Sequence, residues 1–274
     1  AGSAAFGALQ HLRYNGRSAR REVGPMAMQE ILSRFIYYPD PVWFMTPDDL
    51  GLEAEEVILE PEEGVRLHAW FFSHPKPVGS LLFCHGNAGN VSHRLENVHY
   101  LVQTGFQVLL FDYRGYGHSS GQPTEMGLYR DATTAWQHLV ERPDTGGAPR
   151  IIFGRSLGGA VAVDLATHAD ADGLIIESTF TSIRTLVRLI YHLPLPELPV
   201  KYDSLSKIGQ LKMPLLALHG TRDELIPISD GRVLFDAAPE PKTWYSIPTA
   251  GHNDTYVVGG DAYFRQFRTF ARGL

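Results

Sequence analysis

Cysteine is almost absent from this sequence, since Cys84 is the only one among 274 residues. A single thiol excludes an internal disulfide framework and is typical of a reducing compartment, which predicts a cytoplasmic location. Long apolar runs are missing too, because none approaches the roughly 18 to 20 residues that a helix needs to span a bilayer. We therefore expect no stable membrane insertion.

Basic charge is also scarce. The sequence has 24 Lys and Arg against 30 Asp and Glu, which gives a net charge of −6. A dedicated nucleic-acid binder would instead need a basic face that neutralises phosphates. We expect no nucleic-acid partner.

Patterns for metals and nucleotides are missing as well. The sequence has no HExxH motif and no paired cysteines, and its strand-end histidines lack the spacing of metal ligands. It has no Walker A motif, and the stretch HGNAGN (residues 85–90) does not follow the GxGxxG order of a dinucleotide site. We expect neither a metal nor a cofactor.

The composition is that of a globular protein. A hydrophobic share of 44% can form a large core, and the length fits one or two domains. Residues 1–25 are rich in Gly, Ala, Ser and Arg, and we expect an artificial leader or an upstream read-through, with Met26 or Met28 as the natural start. A short basic arm that binds an acidic surface is the alternative. Residues 26–274 are predicted to form a single domain.

Short apolar runs alternate with helical patterns from about Glu55 onward. The runs lie at residues 65–72, 80–85, 107–112, 150–154, 173–177, 214–219 and 243–247. Their continuous apolar character predicts strands of a sheet that is covered on both faces.

The segments between the runs carry a 3.6-residue apolar period. One helix is predicted at residues 128–140, before Pro143, and another at residues 95–102, with Gly105 as its C-cap. A last helix is predicted from Asp261. Strands that alternate with helices predict an α/β fold with a mostly parallel, doubly wound sheet. In such sheets the site lies beyond the carboxyl ends of the strands.

Residues 180–207 interrupt this alternation with an apolar, proline-punctuated segment. Because the segment lies between two predicted strands, we expect a short lid or acyl pocket above the carboxyl edge of the sheet. Leu189, Tyr191 and Leu193 are its candidate substrate contacts. A solvent-side loop with few core contacts is the alternative.

The strand at residues 150–154 is followed by a GxSxG motif, GRSLG, centred on Ser156. A serine on a tight strand-to-helix turn needs glycines on both sides so that neighbouring backbone can approach. The start of the next helix also directs backbone N–H groups towards the hydroxyl. Ser156 is therefore predicted to be a nucleophile.

A serine nucleophile needs a general base. His252 is the only one of twelve histidines that lies downstream of Ser156 in a Gly-containing loop after the last predicted strand. His219 ends a strand and is expected to bond within the rim of the sheet. We predict that His252 is the base.

The base in turn needs a carboxylate that orients its ring. Asp223 follows the strand at residues 214–219 and is the predicted acid. Glu177, at the end of the preceding strand, is the main rival. Asp254 is too close in sequence to His252 to reach its ring easily.

Acyl transfer also requires donors for an oxyanion. The N–H of Leu157, directly after the nucleophile, supplies one. The second is assigned to the N–H of Asn87 in the HGNAGN loop, where neighbouring glycines let the amide point into the site. A plain glycine turn is the alternative for this loop.

Five motifs together resemble the α/β-hydrolase superfamily. They are HGNAGN, DYRGYGHSSG (residues 112–121), GRSLGG, HGTRDELIP (residues 219–227) and AGHND. The chain is most similar to the small serine esterase-like hydrolases with a minimal lid, and the resemblance covers about Phe35 to the carboxyl end. It implies a sheet of eight strands with an early antiparallel strand, an ester-type acyl substrate and no cofactor. It also implies that residues 112–121 form a turn beside the site, where Tyr116 or His118 could line a pocket.

The combined prediction is a serine hydrolase that cleaves a small-molecule carboxylic ester through an acyl-enzyme, with short- to medium-chain acyl groups. An acyl-protein thioesterase or an aminopeptidase-like enzyme would use the same three side chains. A catalytically silent binding scaffold is the non-enzymatic alternative. The oligomeric state is left open.

Overall fold

The computed structural model describes residues 36–145, 147–191 and 200–274, apart from the side chains of residues 187 and 189–191. The predicted leader at residues 1–25 lies outside the described residues.

The strands form one large sheet and one small sheet. The described residues include β1 (Tyr38–Pro39), β2 (Glu55–Glu62), β3 (Val65–Phe72), β4 (Gly79–Cys84), β5 (Ala88–Gly89), β6 (Phe106–Phe111), β7 (Arg150–Arg155), β8 (Gly173–Glu177), β9 (Leu215–Gly220) and β10 (Lys242–Ile247). Eight of them follow the order β10-β9-β8-β7-β4-β6-β3-β2, and β1 pairs with β5. In the large sheet β3 runs antiparallel to both of its neighbours, and the other pairs are parallel. A mostly parallel sheet is what the alternating pattern predicts, and eight strands are what the resemblance implies.

Helices cover both faces of this sheet. The described residues include α1 (Leu95–Gln103), α2 (Glu125–Glu141), α3 (Leu157–Ala166), α4 (Ile183–Tyr191), α5 (Leu205–Ile208), α6 (Ile228–Ala237) and α7 (Thr255–Arg272). Side chains of α2, α3 and α6 pack into one core, and side chains of α1 and α7 pack into the other. Successive residues of β4 point alternately into the two cores, as Leu82 and Cys84 do on one side and Leu81 and Phe83 on the other.

The position of Cys84 also decides its chemistry. The side chain is fully buried in the middle of the sheet, and burial raises the pKa of its thiol well above the ordinary value. A protonated, buried thiol behaves as a small apolar side chain.

All seven predicted strands are present, with ends that differ from the predictions by one residue at most. The eighth strand, β2, was not among the predicted runs. It lies at the edge of the sheet, where Val57 and Leu59 are buried while Glu56 and Ile58 are exposed. Its alternating, glutamate-rich pattern differs from the continuous apolar runs of the inner strands.

The first two predicted helices are confirmed, and the last predicted helix, from Asp261, is the part of α7 that follows a break at Gly260. Helix α2 ends before Pro143, and Gly105 follows α1 with φ +100°. A helical segment from Thr255, which was not predicted, precedes this break, where Gly260 has φ +47°. The start of this segment is stabilised because Thr255 is buried and its hydroxyl donates a hydrogen bond to Glu177.

The predicted lid segment at residues 180–207 contains α4 and α5 in its described parts. Its distal end is fastened to α2, because the backbone N–H groups of Lys201 and Tyr202 donate to the carboxylate of Glu125 over 2.7 and 2.8 Å. Residues 192–199 lie outside the described residues. The role of the segment as a lid therefore stays a prediction.

Candidate active site

Ser156 lies on the tight turn between β7 and α3. Its backbone has φ +55° and ψ −121°, a conformation that L-residues rarely adopt. The flanking glycines are required by close packing. A Cβ atom on Gly158 would lie 2.0 Å from the Cys84 carbonyl oxygen, and one on Gly154 would lie 2.3 Å from the Gly158 carbonyl oxygen.

The strained turn is held by hydrogen bonds on both sides of Ser156. Its N–H donates to the carbonyl of Glu177 over 2.9 Å, and its carbonyl accepts from Gly159 N–H and from Thr179 Oγ1 over 2.9 and 2.8 Å. These bonds fix the backbone of Ser156 at the carboxyl end of the sheet.

The structure brings Ser156, His252 and Asp223 together. Ser156 Oγ lies 3.1 Å from His252 Nε2. His252 Nδ1 lies 2.9 Å from Asp223 Oδ2 and 3.1 Å from Asp223 Oδ1. The three side chains thus form a continuous chain of hydrogen bonds, although they come from the ends of three different strands.

Asp223 is held in its ionised form. Burial opposes ionisation, but hydrogen bonds from His219 and His252 outweigh it and hold the pKa of the carboxyl well below its ordinary value. The N–H groups of Leu225 and Ile226 also donate to Asp223 Oδ1, over 3.0 and 2.8 Å. An ionised carboxylate in this position can stabilise a positive charge on the His252 ring.

The rival acids make other contacts. Glu177 accepts hydrogen bonds from Thr255 and Tyr263 and pairs with Arg155, so its carboxylate is committed elsewhere. The carboxylate of Asp254 accepts from the N–H of Gly251 over 2.7 Å.

His219 lies behind the acid and not at the nucleophile. Its Nε2 donates to the Ile226 carbonyl over 2.9 Å and lies 3.4 Å from Asp223 Oδ2. His219 thus bonds at the rim of the sheet, as expected from its place at the end of a strand.

The predicted oxyanion donors border the same space. The N–H groups of Asn87 and Leu157 have no acceptor among the residues that the structure describes. A Cβ atom on Gly86 would lie 3.4 Å from Ser156 Cβ, which places the HGNAGN loop against the serine. The Asn87 side chain is fixed at both ends, because Nδ2 donates to the Ile36 carbonyl over 2.6 Å and Oδ1 accepts from Tyr116 over 2.8 Å.

The predicted pocket residues have a different outcome. Tyr116 is fully buried and bonds to Asn87, which argues against a substrate contact and for a supporting role. The structure does not describe Leu193 or the side chains of Leu189 and Tyr191, so their role as substrate contacts stays a prediction. His118 stacks on Trp43, with ring centroids 3.8 Å apart.

Arg155 was not predicted to have a role at the site. It is the first of the two variable residues of the GxSxG motif, which requires no particular side chain there. In the structure its guanidinium donates to the carbonyl of His252 over 2.5 Å. The sequence did contain one signal, an arginine at the end of an otherwise apolar strand. Such an arginine indicates a buried ion pair, because a buried cation needs an anion nearby.

Two kinds of feature are absent from the described residues. Within residues 36–145, 147–191 and 200–274, no group of three or more His, Cys, Asp or Glu side chains is arranged to hold a metal ion. Over the same ranges, no helix combines the length and apolarity that crossing a membrane requires.

Comparison with known proteins identifies the family. A family model described as "Serine aminopeptidase, S33" matches residues 75–208. An uncharacterized protein of Mycobacterium tuberculosis is 36% identical over 241 residues, which make up 86% of each chain. The "Alpha/beta hydrolase domain-containing protein WAV2" of Arabidopsis thaliana is 36% identical over 244 residues, 81% of this chain and 79% of the plant protein. The chain belongs to the α/β-hydrolase superfamily.

Solved structures of α/β-hydrolases share the fold. An esterase of Pyrococcus furiosus superposes with a TM-score of 0.72 at 19% identity and covers 86% of this chain and 97% of its own. An α/β-hydrolase of Vibrio vulnificus has a TM-score of 0.72 at 22% identity, with 93% and 98% covered. At such low identities these likenesses show the architecture alone, and the substrate must be argued from the site.

Proposed function

We propose that this α/β-hydrolase is a serine esterase that cleaves small carboxylic esters through an acyl-enzyme. The observation that carries the proposal is the chain of hydrogen bonds from Ser156 Oγ through the His252 ring to Asp223, with links of 3.1 and 2.9 Å. A hydroxyl, an imidazole and an ionised carboxylate in this order can activate the hydroxyl for attack on a carbonyl carbon.

In the first step His252 Nε2 takes the proton of the Ser156 hydroxyl while Oγ bonds to the ester carbonyl carbon. The ring then carries a positive charge, and Asp223 stabilises it through the Nδ1–H that it accepts. Because the pKa of Asp223 is depressed, the carboxylate remains ionised during this step.

The negative charge that develops on the carbonyl oxygen needs donors that are already in place. The N–H groups of Asn87 and Leu157 are assigned this role, since both border Ser156 and neither has an acceptor among the described residues. Leu157 is also the first residue of α3, where the helix dipole favours negative charge.

The second half of the reaction uses the same groups in reverse. The protonated His252 ring gives its proton to the leaving alcohol, the carbon–oxygen bond breaks, and the acyl group stays on Ser156. Water then loses a proton to His252 and attacks the acyl carbon, which releases the acid and restores the hydroxyl. The apolar sequence of residues 183–195 favours an apolar acyl group, for which we propose a short to medium chain.

Aminopeptidase activity is the second candidate, because the matching family model carries that description. Such an enzyme needs an acidic group that binds the amino terminus of its substrate. Two exposed carboxylates, Glu224 and Asp254, lie beside His252, but they accept hydrogen bonds from the N–H groups of His252 and Gly251. Because both carboxylates are exposed, neither forms an enclosed site for an ammonium group, which favours the ester hydrolase.

The test is hydrolysis of p-nitrophenyl butyrate by Ser156→Ala. We expect kcat to fall by on the order of 10⁴-fold or more, because the nucleophile is lost. Ser178→Ala is the matched control, since Ser178 is buried, has φ +46°, and its hydroxyl lacks a partner among the described residues. Near-wild-type turnover by Ser156→Ala would contradict the proposal.

A substrate panel then separates the alternatives. Butyryl thioester and alanine p-nitroanilide are compared with the ester, and preference for one of them would favour the thioesterase or the aminopeptidase. A fluorophosphonate that fails to label Ser156 would favour the silent binding scaffold.

A further inference from the structure

The backbone of His252 is attached directly to the residue that precedes the nucleophile. Arg155 is the last residue of β7, and its Nη2 donates to the His252 carbonyl over 2.5 Å. One side chain therefore spans from the turn that carries Ser156 to the loop that carries His252.

The arginine is itself held by Glu177, the last residue of β8. Arg155 Nε lies 3.1 Å from Glu177 Oε1. The two carboxylate oxygens also accept from Thr255 Oγ1 and Tyr263 OH, each over 2.5 Å, and both hydroxyls belong to α7. Glu177 thus connects the arginine to the helix that directly follows the His252 loop.

The same glutamate holds the nucleophile turn through its backbone, because its carbonyl accepts the N–H of Ser156 over 2.9 Å. Four pieces of the site meet at this carboxylate residue: the nucleophile turn, the Arg155 side chain, the start of α7 and, through Arg155, the loop of His252.

The pair is buried, which makes its geometry specific. Side-chain exposure is 6% for Arg155 and 0% for Glu177. A guanidinium can point Nε at a carboxylate and Nη2 at a carbonyl at the same time, because its donors lie in a rigid planar fork. A lysine ammonium is a single point of charge on a flexible stem and cannot reproduce both directions.

We propose that Arg155 and Glu177 are positioning residues that fix the His252 carbonyl relative to Ser156, so that Nε2 stays within reach of Oγ. This rests on the proposed function. Neither side chain touches the reacting atoms. Without the Arg155 bond, the backbone of the loop would keep its other described hydrogen bonds, none of which goes to the nucleophile turn. The contact between His252 Nε2 and Ser156 Oγ, whose geometry is at issue, would then be the remaining described hydrogen bond between the two.

The test compares Arg155→Lys with a matched control, Arg114→Lys. Arg114 forms a similarly buried pair with Asp131, with exposures of 7% and 0%, and it has no bond to the His252 loop. For Arg155→Lys we expect kcat for p-nitrophenyl butyrate to fall by on the order of 100-fold, because a misplaced base lowers the chemical step. KM should change by about twofold or less, since the ester binds elsewhere. Arg114→Lys should keep kcat.

A second readout is the rate at which a fluorophosphonate labels Ser156. The reagent reports activation of the hydroxyl without ester binding. Arg155→Lys should therefore lower the labelling rate by the same factor as it lowers kcat. Equal labelling rates for Arg155→Lys and wild type would overturn the inference while leaving the proposed function standing. Failure of the wild type to label would overturn both.

Tyr263→Phe covers the case in which Arg155→Lys does not fold. It removes one donor to Glu177 and keeps both charges of the pair, so a smaller fall in kcat with an unchanged KM is expected. Addition of guanidinium ion to Arg155→Ala should restore part of its labelling rate, because the free ion can occupy the emptied space. Unchanged kcat in Tyr263→Phe together with no guanidinium effect would contradict the inference.

Discussion

Two regions of the molecule contain a buried arginine–carboxylate pair of nearly equal exposure. The site pair is Arg155 with Glu177, and the turn pair is Arg114 with Asp131. The two differ in the second partner of the guanidinium, which is the His252 carbonyl in the site pair and the carboxylate of Glu62, over 2.5 Å, in the turn pair.

The difference shows that a buried ion pair does not by itself mark a functional site. In the turn pair the guanidinium fastens the turn at residues 112–121 to α2 and β2, so its removal should alter stability. In the site pair the guanidinium bonds to the loop that carries the general base, so a change in the position of the guanidinium should alter the reaction rate. Two chemically similar ion pairs therefore have different roles, because they connect different segments of the chain.

The largest difference in kcat between the two regions is expected for a change at Asp223, the carboxylate that contacts the general base. Asp223→Asn removes the charge that stabilises the His252 imidazolium while keeping the size of the side chain. We expect kcat to fall by on the order of 10⁴-fold, which steady-state hydrolysis of p-nitrophenyl butyrate measures. A fall of less than about tenfold would show that another group orients the ring.

The turn pair should give the opposite pattern. Asp131→Asn leaves the Arg114 guanidinium without its buried counter-charge, and we expect a loss of about 3 kcal/mol in the free energy of unfolding. Glu62, which still pairs with the arginine, limits the loss. Urea unfolding measures it, and kcat per folded molecule should stay close to that of the wild type. A large fall in kcat with full stability would contradict the assignment.

Tyr116 tests whether the turn also affects the reaction, because it belongs to the turn and its hydroxyl bonds to a residue of the site. Its hydroxyl donates to Asn87 Oδ1, so Tyr116→Phe should loosen the amide assigned to the oxyanion. We expect kcat to fall by about fivefold, equivalent to about 1 kcal/mol for one hydrogen bond. Tyr129→Phe, which loses a bond to Glu125 on α2, is the control and should keep kcat. Equal effects of the two changes would show that Tyr116 acts through stability alone.

Much of the fold could be predicted because its inner strands are continuous apolar runs. The edge strand β2 was not predicted, because half of its side chains face water and several are glutamates. The part of α7 before Gly260 was not predicted, because the hydrogen bond that stabilises its start goes from Thr255 to Glu177, a partner 78 residues away that no local pattern reveals.

The site was predictable to the extent that its residues follow strands. The ends of parallel strands meet at one edge, so Ser156, Asp223 and His252 could be expected to converge. Arg155 could not be singled out, because its role depends on a carbonyl in a loop 97 residues away. Glu177 was weighed as a rival acid, and only its contacts show that it serves the arginine instead.

The most direct test of the central claim is mass spectrometry of the wild-type protein after acid quenching during turnover of p-nitrophenyl butyrate. The account predicts a butyryl group on the peptide that contains Ser156, which disappears as substrate is exhausted and never forms in Ser156→Ala. Sustained turnover with no acyl group on that serine, in both proteins alike, would contradict it.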